Sequence, residues 1–264
     1  MSRRAVFARS MLFGLVLSPD LRGQQIRLSD AELAAITERG RELADYDQAA
    51  WHATDALQMA NPKTAEGQRC LARFEKGKWV VAFGSLNGDK SKFLIRYQAL
   101  ERDKPQDFAL THHDPPFEDP GFYLYAARAL EMSLGDFGGT SLPYSAAVLP
   151  ASEGQLYVYL YPAQTQPMIY PFGGDVRYLV SPDGTKILEK RQLHKTILET
   201  KAALNGGKVA AGRHTHSLSD LPEDTDVLHV LQQSPPVPEM VFTPHFTYEV
   251  ERSGTIRIRK EKKK

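Results

Sequence analysis

The sequence predicts an α+β fold, with an N-terminal helix and β-hairpin region followed by a mixed α/β-sheet region. Three observations carry this. Helical apolar spacing starts after residue 29, an Asn-Gly turn separates two apolar runs near residue 87, and short β-branched and aromatic runs punctuated by turn residues recur from residue 156 onward. With 264 residues, 42% of them apolar, the chain can bury a substantial core as one large domain or two smaller ones.

At the N-terminus, Arg3, Arg4 and Arg9 precede the apolar run from Met11 to Leu17, the charge-then-apolar order of a secretory signal. Residues 1–23 are therefore expected to be a signal peptide, with small Gly23 at the cleavage point and Leu21 larger than the residue usual two positions before it. The same run also reads as a buried first strand or helix. Export implies a secreted or periplasmic protein. Nowhere do eighteen consecutive apolar residues occur, so no transmembrane segment is expected.

The chain carries 33 basic and 32 acidic residues, and loss of residues 1–23 removes four arginines and one aspartate, leaving a net charge of about −2. Such a balance does not attract phosphate backbones, so no nucleic-acid partner is expected. The one basic cluster, Arg257 to Lys264, reads as a solvated tail. Cys70 is the only cysteine, so stability must come from burial rather than an intrachain disulfide.

Ser29-Asp30-Ala31-Glu32 has capping-box spacing, and Leu33, Ile36, Gly40 and Leu43 continue one helical face that extends, with an internal break, toward Leu57 before Asn61-Pro62 ends it. Trp79–Phe83 and Phe93–Tyr97 flank Asn87-Gly88 as a hairpin. A Pro-rich link from Pro105 to Pro120 then leads to a short helix over Phe122 to Met132. These elements form an N-terminal region at 24–140, and a mixed region at 141–264 follows.

In that second region Leu156-Tyr157-Val158-Tyr159-Leu160-Tyr161 alternates aliphatic and aromatic residues, as a strand with one face packed and tyrosines on the other. Those tyrosines read either as core or as an exposed surface for a protein or peptide partner. Strands at Val176–Val180 and Lys186–Glu189 meet at the turn Ser181-Pro182-Asp183-Gly184, and a final pair, Met240–Val250 and Thr255–Ile258, turns at Ser253-Gly254.

Candidate chemistry concentrates between His214 and His229. A strand-like Lys208–Arg213 runs into His214-Thr215-His216, a polar loop follows, and a helix opens with Asp220 and Glu223 at capping spacing. Residues two apart on extended backbone project to one side, so His214 and His216 can offer imidazoles to one ion, and Asp226 in the first helical turn can add a carboxylate. His52 with Asp55, and His112-His113-Asp114, are weaker clusters better explained by packing or surface placement. His245 is a candidate additional ligand, from a strand that could neighbour the His214 strand.

This arrangement resembles the JAB/JAMM metalloprotease family, whose motif is a strand ending in His-x-His-Pro, a loop, and Ser-x-x-Asp at a helix start. His214, His216 and Asp226 match, and Pro222 stands where the family often has a proline. Ser217 replaces the motif proline, Glu223 stands at its serine, and the histidine-to-aspartate interval is about one residue short. The resemblance covers residues 145–260 at most. It implies a zinc ion, hydrolysis of a peptide or isopeptide bond, and an upstream glutamate as general base, for which Glu153 is the candidate. A non-catalytic exported binding protein is the alternative reading. The export expectation is checked by N-terminal sequencing of protein from its native host, which should begin near Gln24; an intact Met1 in a cytosolic fraction overturns it.

Overall fold

A computed structural model describes residues 30–62, 67–201 and 210–259. The leader, Ser29 of the capping box, Lys208-Val209 and the last five residues of the basic tail lie outside the described residues. Helix α1 (Asp30–Met59) runs thirty residues. The expected break is absent, because Ala44, Ala49, Ala53 and Leu57 extend the buried face begun by Leu33, Ile36 and Leu43.

Strands β1 (Arg69–Glu75), β2 (Lys78–Leu86), β3 (Phe93–Glu101) and β4 (Phe108–Asp119) form an antiparallel meander in that order. A hairpin joins β2 to β3 where expected, but the connection runs over residues 87–92 with its positive φ at Lys90 rather than at Asn87-Gly88, so it is wider than the tight turn those residues signal. Strand β4 occupies the expected Pro-rich link. Pro115 and Pro116 are tolerated because β4 is an edge strand and they lie in an irregularity where pairing jumps from Tyr97↔His112 to Ile95↔Phe117. Helix α2 (Phe122–Phe137) begins where Asp119 Oδ2 accepts the Tyr123 and Leu124 N–H groups, and it runs past Met132 to Gly138, whose φ of 79° suits a residue without a side chain.

The next sheet, ordered β5-β6-β8-β9, comprises β5 (Tyr144–Pro150), β6 (Leu156–Pro162), β8 (Val176–Val180) and β9 (Ile187–Gln192), all antiparallel. Strand β7 (Ile169–Phe172) pairs instead with β10 (Leu198–Lys201). Strand β6 settles its tyrosines as core rather than as a face open to a partner. Val158 and Leu160 pack into a core beneath α2, whereas Tyr159 and Tyr161 pack with Leu43, Tyr46 and Ala53 of α1. The alternation separates two cores rather than core from water.

Strand β11 (Gly212–Thr215), helix α3 (Asp224–Gln232) and strand β12 (Glu239–Phe242) make a parallel β-α-β crossover, extended antiparallel by β13 (Thr247–Val250) and β14 (Ile256–Arg259). The single expected strand over Met240–Val250 is thus two, because Thr243 N–H donates to the Phe246 carbonyl and turns the chain between them. One core, containing Leu43, Val81, Ala147, Tyr159 and Leu228, draws on residues from both sides of position 140. No helix among the described residues is long and apolar enough to cross a membrane.

Helices α1 and α3 approach closely at Gly40. A Cβ there would lie 2.6 Å from the Asp224 carbonyl oxygen and would also overlap the Val227 side chain. The backbone carbonyl cannot yield, so Gly40→Ala should cost about 1–2 kcal/mol net of its gain in helix propensity. Thermal unfolding checks this, with an expected Tm decrease of roughly 2–6 °C.

Candidate metal centre

His214 lies within the short β11 strand, next to its last residue Thr215, and His216 follows the strand, held by its own N–H donating to the Phe242 carbonyl, 2.7 Å. Helix α3 starts one residue after Glu223, which caps it; the Glu223 N–H donates to Asp226 Oδ2 at 2.7 Å, completing a capping box one turn later than the Asp220–Glu223 spacing suggested. That cap turns the Asp226 carboxylate back toward β11. The fourth member, His194, comes from the loop after β9.

His194, His214, His216 and Asp226 are all buried, and their ligand atoms lie within 4.8 Å of one another, close enough to hold a metal ion. Asp226 Oδ1 is 3.2 Å from His194 Nε2 and 3.0 Å from His214 Nε2, and Oδ2 is 3.2 Å from His216 Nε2. His216 Nε2 in turn is 2.8 Å from His194 Nε2 and 3.0 Å from His214 Nε2. A tetrahedral ion with bonds of about 2.0–2.1 Å separates its ligands by roughly 3.3–3.4 Å. The cluster is slightly contracted from that figure.

The far nitrogen of each ring fixes what the near one can do. His216 Nδ1 donates to the Leu221 carbonyl at 2.8 Å, and a carbonyl only accepts, so Nδ1 carries the proton and Nε2 presents a lone pair. His194 Nδ1 faces Asp175 Oδ1 at 2.7 Å, and His214 Nδ1 faces Glu239 Oε1 at 3.0 Å. These are the carboxylate–histidine contacts that orient metal ligands. Three imidazole nitrogens and a carboxylate therefore meet at one buried point, where a cation or protons can hold them together.

In the ion-free chain, protons meet that need. Burial alone would depress the His194 pKa, but Asp175 and Asp226 outweigh it and carry the group to about 11; His214, opposed by burial but paired with Asp226 and Glu239, rises to about 9. Asp226 is fully buried, which would raise its pKa, yet the three imidazoles hold it well below the usual carboxylate range. An arriving cation replaces these protons. Nearby, burial and the field of His214 depress His229 to about 4, so this ring stays neutral. Its face lies against Phe172, whose ring also meets His194 and His214 at centroid distances of 4.6–4.7 Å.

Behind Asp226 a second buried carboxylate fixes α3. Asp224 accepts from Arg177 at 2.6 Å, from the Tyr159 hydroxyl at 2.8 Å and from Arg39 at 2.9 Å, tying α3 to β8, β6 and α1. Arg191 pairs with Glu223 at 2.6 Å, although burial and the neighbouring acids still push that carboxyl up to about 7.

The structure brings together His214, His216 and Asp226 and adds His194. It does not bring Glu153, which lies in the exposed turn Ser152–Gly154 between β5 and β6. Leu156, where β6 begins, pairs with Val180, whereas Asp175 and His194 adjoin the Val176↔Gln192 end of the sheet, four residues away along β8. His245 is likewise apart, exposed and bound through Nδ1 to Asp220 at 2.8 Å. His112 stacks on Tyr97 and His52 on Trp51. His194 and its partner Asp175 carry no local motif. Nineteen residues separate them, and only the β8–β9 register joins them.

A scan of family models and searches of curated proteins and of solved structures find no match to this chain. The functional reading therefore rests on the site itself. If Asp175 orients His194, Asp175→Asn should weaken metal binding by about 10–100-fold. Glu153→Gln should leave it unchanged. Competition against a chromogenic chelator measures both.

Proposed function

We propose that this protein binds one zinc ion at His194, His214, His216 and Asp226, and that the ion joins the β8–β9 hairpin, β11 and α3 into one unit. The observation that carries this reading is the meeting of three buried imidazoles, each oriented through its far nitrogen, and one carboxylate, with their ligand atoms within 4.8 Å of one another. Four nitrogen and oxygen ligands near tetrahedral spacing suit zinc, and a complete protein set is the pattern of structural sites, whereas catalytic zinc sites keep a position free. The exported binding protein is the class this favours.

A second reading, the metal-dependent hydrolase, is supported by one observation. A small cleft of about 80 Å³ is lined in part by His194, His214 and His216. Zinc there would supply Lewis acidity to a carbonyl and acidify water. No carboxylate lines that cleft, and Glu153 is remote, so a general base of the kind the JAB/JAMM resemblance implies has no candidate among the lining residues.

Elemental analysis of protein purified without chelator or nickel resin tests the first reading. The wild type should carry about one zinc per chain, and both His194→Ala and the double change His214→Ala with His216→Ala should fall to near background. Chelation should lower the Tm of the wild type and leave that of the variants unmoved. Metal-free wild type, or metal retained in the double variant, overturns the reading.

A further inference from the structure

The cleft beside the site has a definite composition. The apolar residues lining it are Phe172, Leu193, Leu198 and Leu218, the polar ones are Lys195, Thr196, Thr215 and Ser217, and the three histidines of the site complete the lining, with side chains 1–8% exposed. Asp226, fully buried, does not line it. Four ligands around one ion define four faces, and the face made by three histidines is the one opposite the aspartate. The opening therefore lies on the side from which a fifth ligand, placed across from Asp226, would reach an ion.

Lys195 is the one fixed charge among the lining residues, since the imidazoles turn their lone pairs to the ion. It lies next in sequence to His194, and Thr196 and Ser217 line the cleft with it. The cleft thus combines one cationic residue and hydroxyl-bearing residues with the exposed leucines Leu198 and Leu218. That is the complement of a small carboxylate with a short apolar substituent. Zinc-type ions accept such a fifth donor because they have no fixed geometric preference.

We infer that the three-histidine cleft is a binding subsite for small carboxylates, which approach the ion opposite Asp226 with Lys195 as counter-charge. This rests on the metal site proposed above and assigns it a ligand class. Cobalt(II) in place of zinc makes the coordination number visible, and acetate serves as the probe. Acetate should reduce the intense visible absorption of four-coordinate cobalt by roughly twofold or more, saturably, as a fifth ligand binds. In Lys195→Ala the acetate affinity should fall by about three- to tenfold, while cobalt still binds stoichiometrically. Lys195→Arg should restore most of it.

The outcomes separate the two proposals. A chain that takes up no cobalt overturns the metal site and the subsite together. Stoichiometric cobalt with a spectrum that acetate leaves unchanged overturns the subsite alone. Loss of absorption accompanied by loss of cobalt on gel filtration counts against the subsite as well, because acetate would then be stripping the ion. Equal acetate affinity in wild type and Lys195→Ala overturns the role given to Lys195.

Discussion

The C-terminal half of this protein is organised around an electrostatic constraint: three imidazole nitrogens and the Asp226 carboxylate share one buried point. Stripped of water, such a set repels itself unless a cation or protons occupy the centre. Each flanking contact serves that constraint. Asp175, Glu239 and the Leu221 carbonyl hold the outward nitrogens, and the Glu223–Asp226 capping box aims the carboxylate. A helix cap worth about 1 kcal/mol in stability thus also positions a ligand.

The supporting shell is itself ionic. Asp224 has no exposure, and it stays buried because two guanidinium groups and a tyrosine hydroxyl surround it. Removing one partner from such a set is far more costly than the set is stabilising, since the remaining charge is left without compensation. The close approach of α1 to α3 at Gly40 brings Arg39 within reach, and the α1 helix thereby connects the site to the large core under the first sheet. Long helix, crossover and hairpin are consequently held by the same few residues.

Local chemistry made much of the fold legible. The helical face from Leu33, the Asn87-Gly88 hairpin, the Ser181–Gly184 turn and the β11–α3–β12 order follow from spacing and turn residues within a few positions of one another. The misreadings and the readings left open have physical causes. Prolines in β4 signalled a link because an edge strand tolerates them and a sequence does not reveal its edges. The tyrosines of β6 left core and open surface both available, because alternation looks the same whether its second face meets water or another core.

By itself the sequence determined that His214 and His216 share one side of an extended segment and that Asp226 opens a helix near them, because these relations depend only on backbone periods. It also determined a chain without disulfides that must rely on burial. Only the tertiary structure decided that His194 completes the set, that Asp175 and Glu239 orient it, and that Glu153 stands at the wrong end of its sheet. Those facts depend on strand register and on how the loop after β9 is brought against His214 and His216. Such pairings join residues about twenty positions apart, and no pattern confined to a single helix or strand can express them.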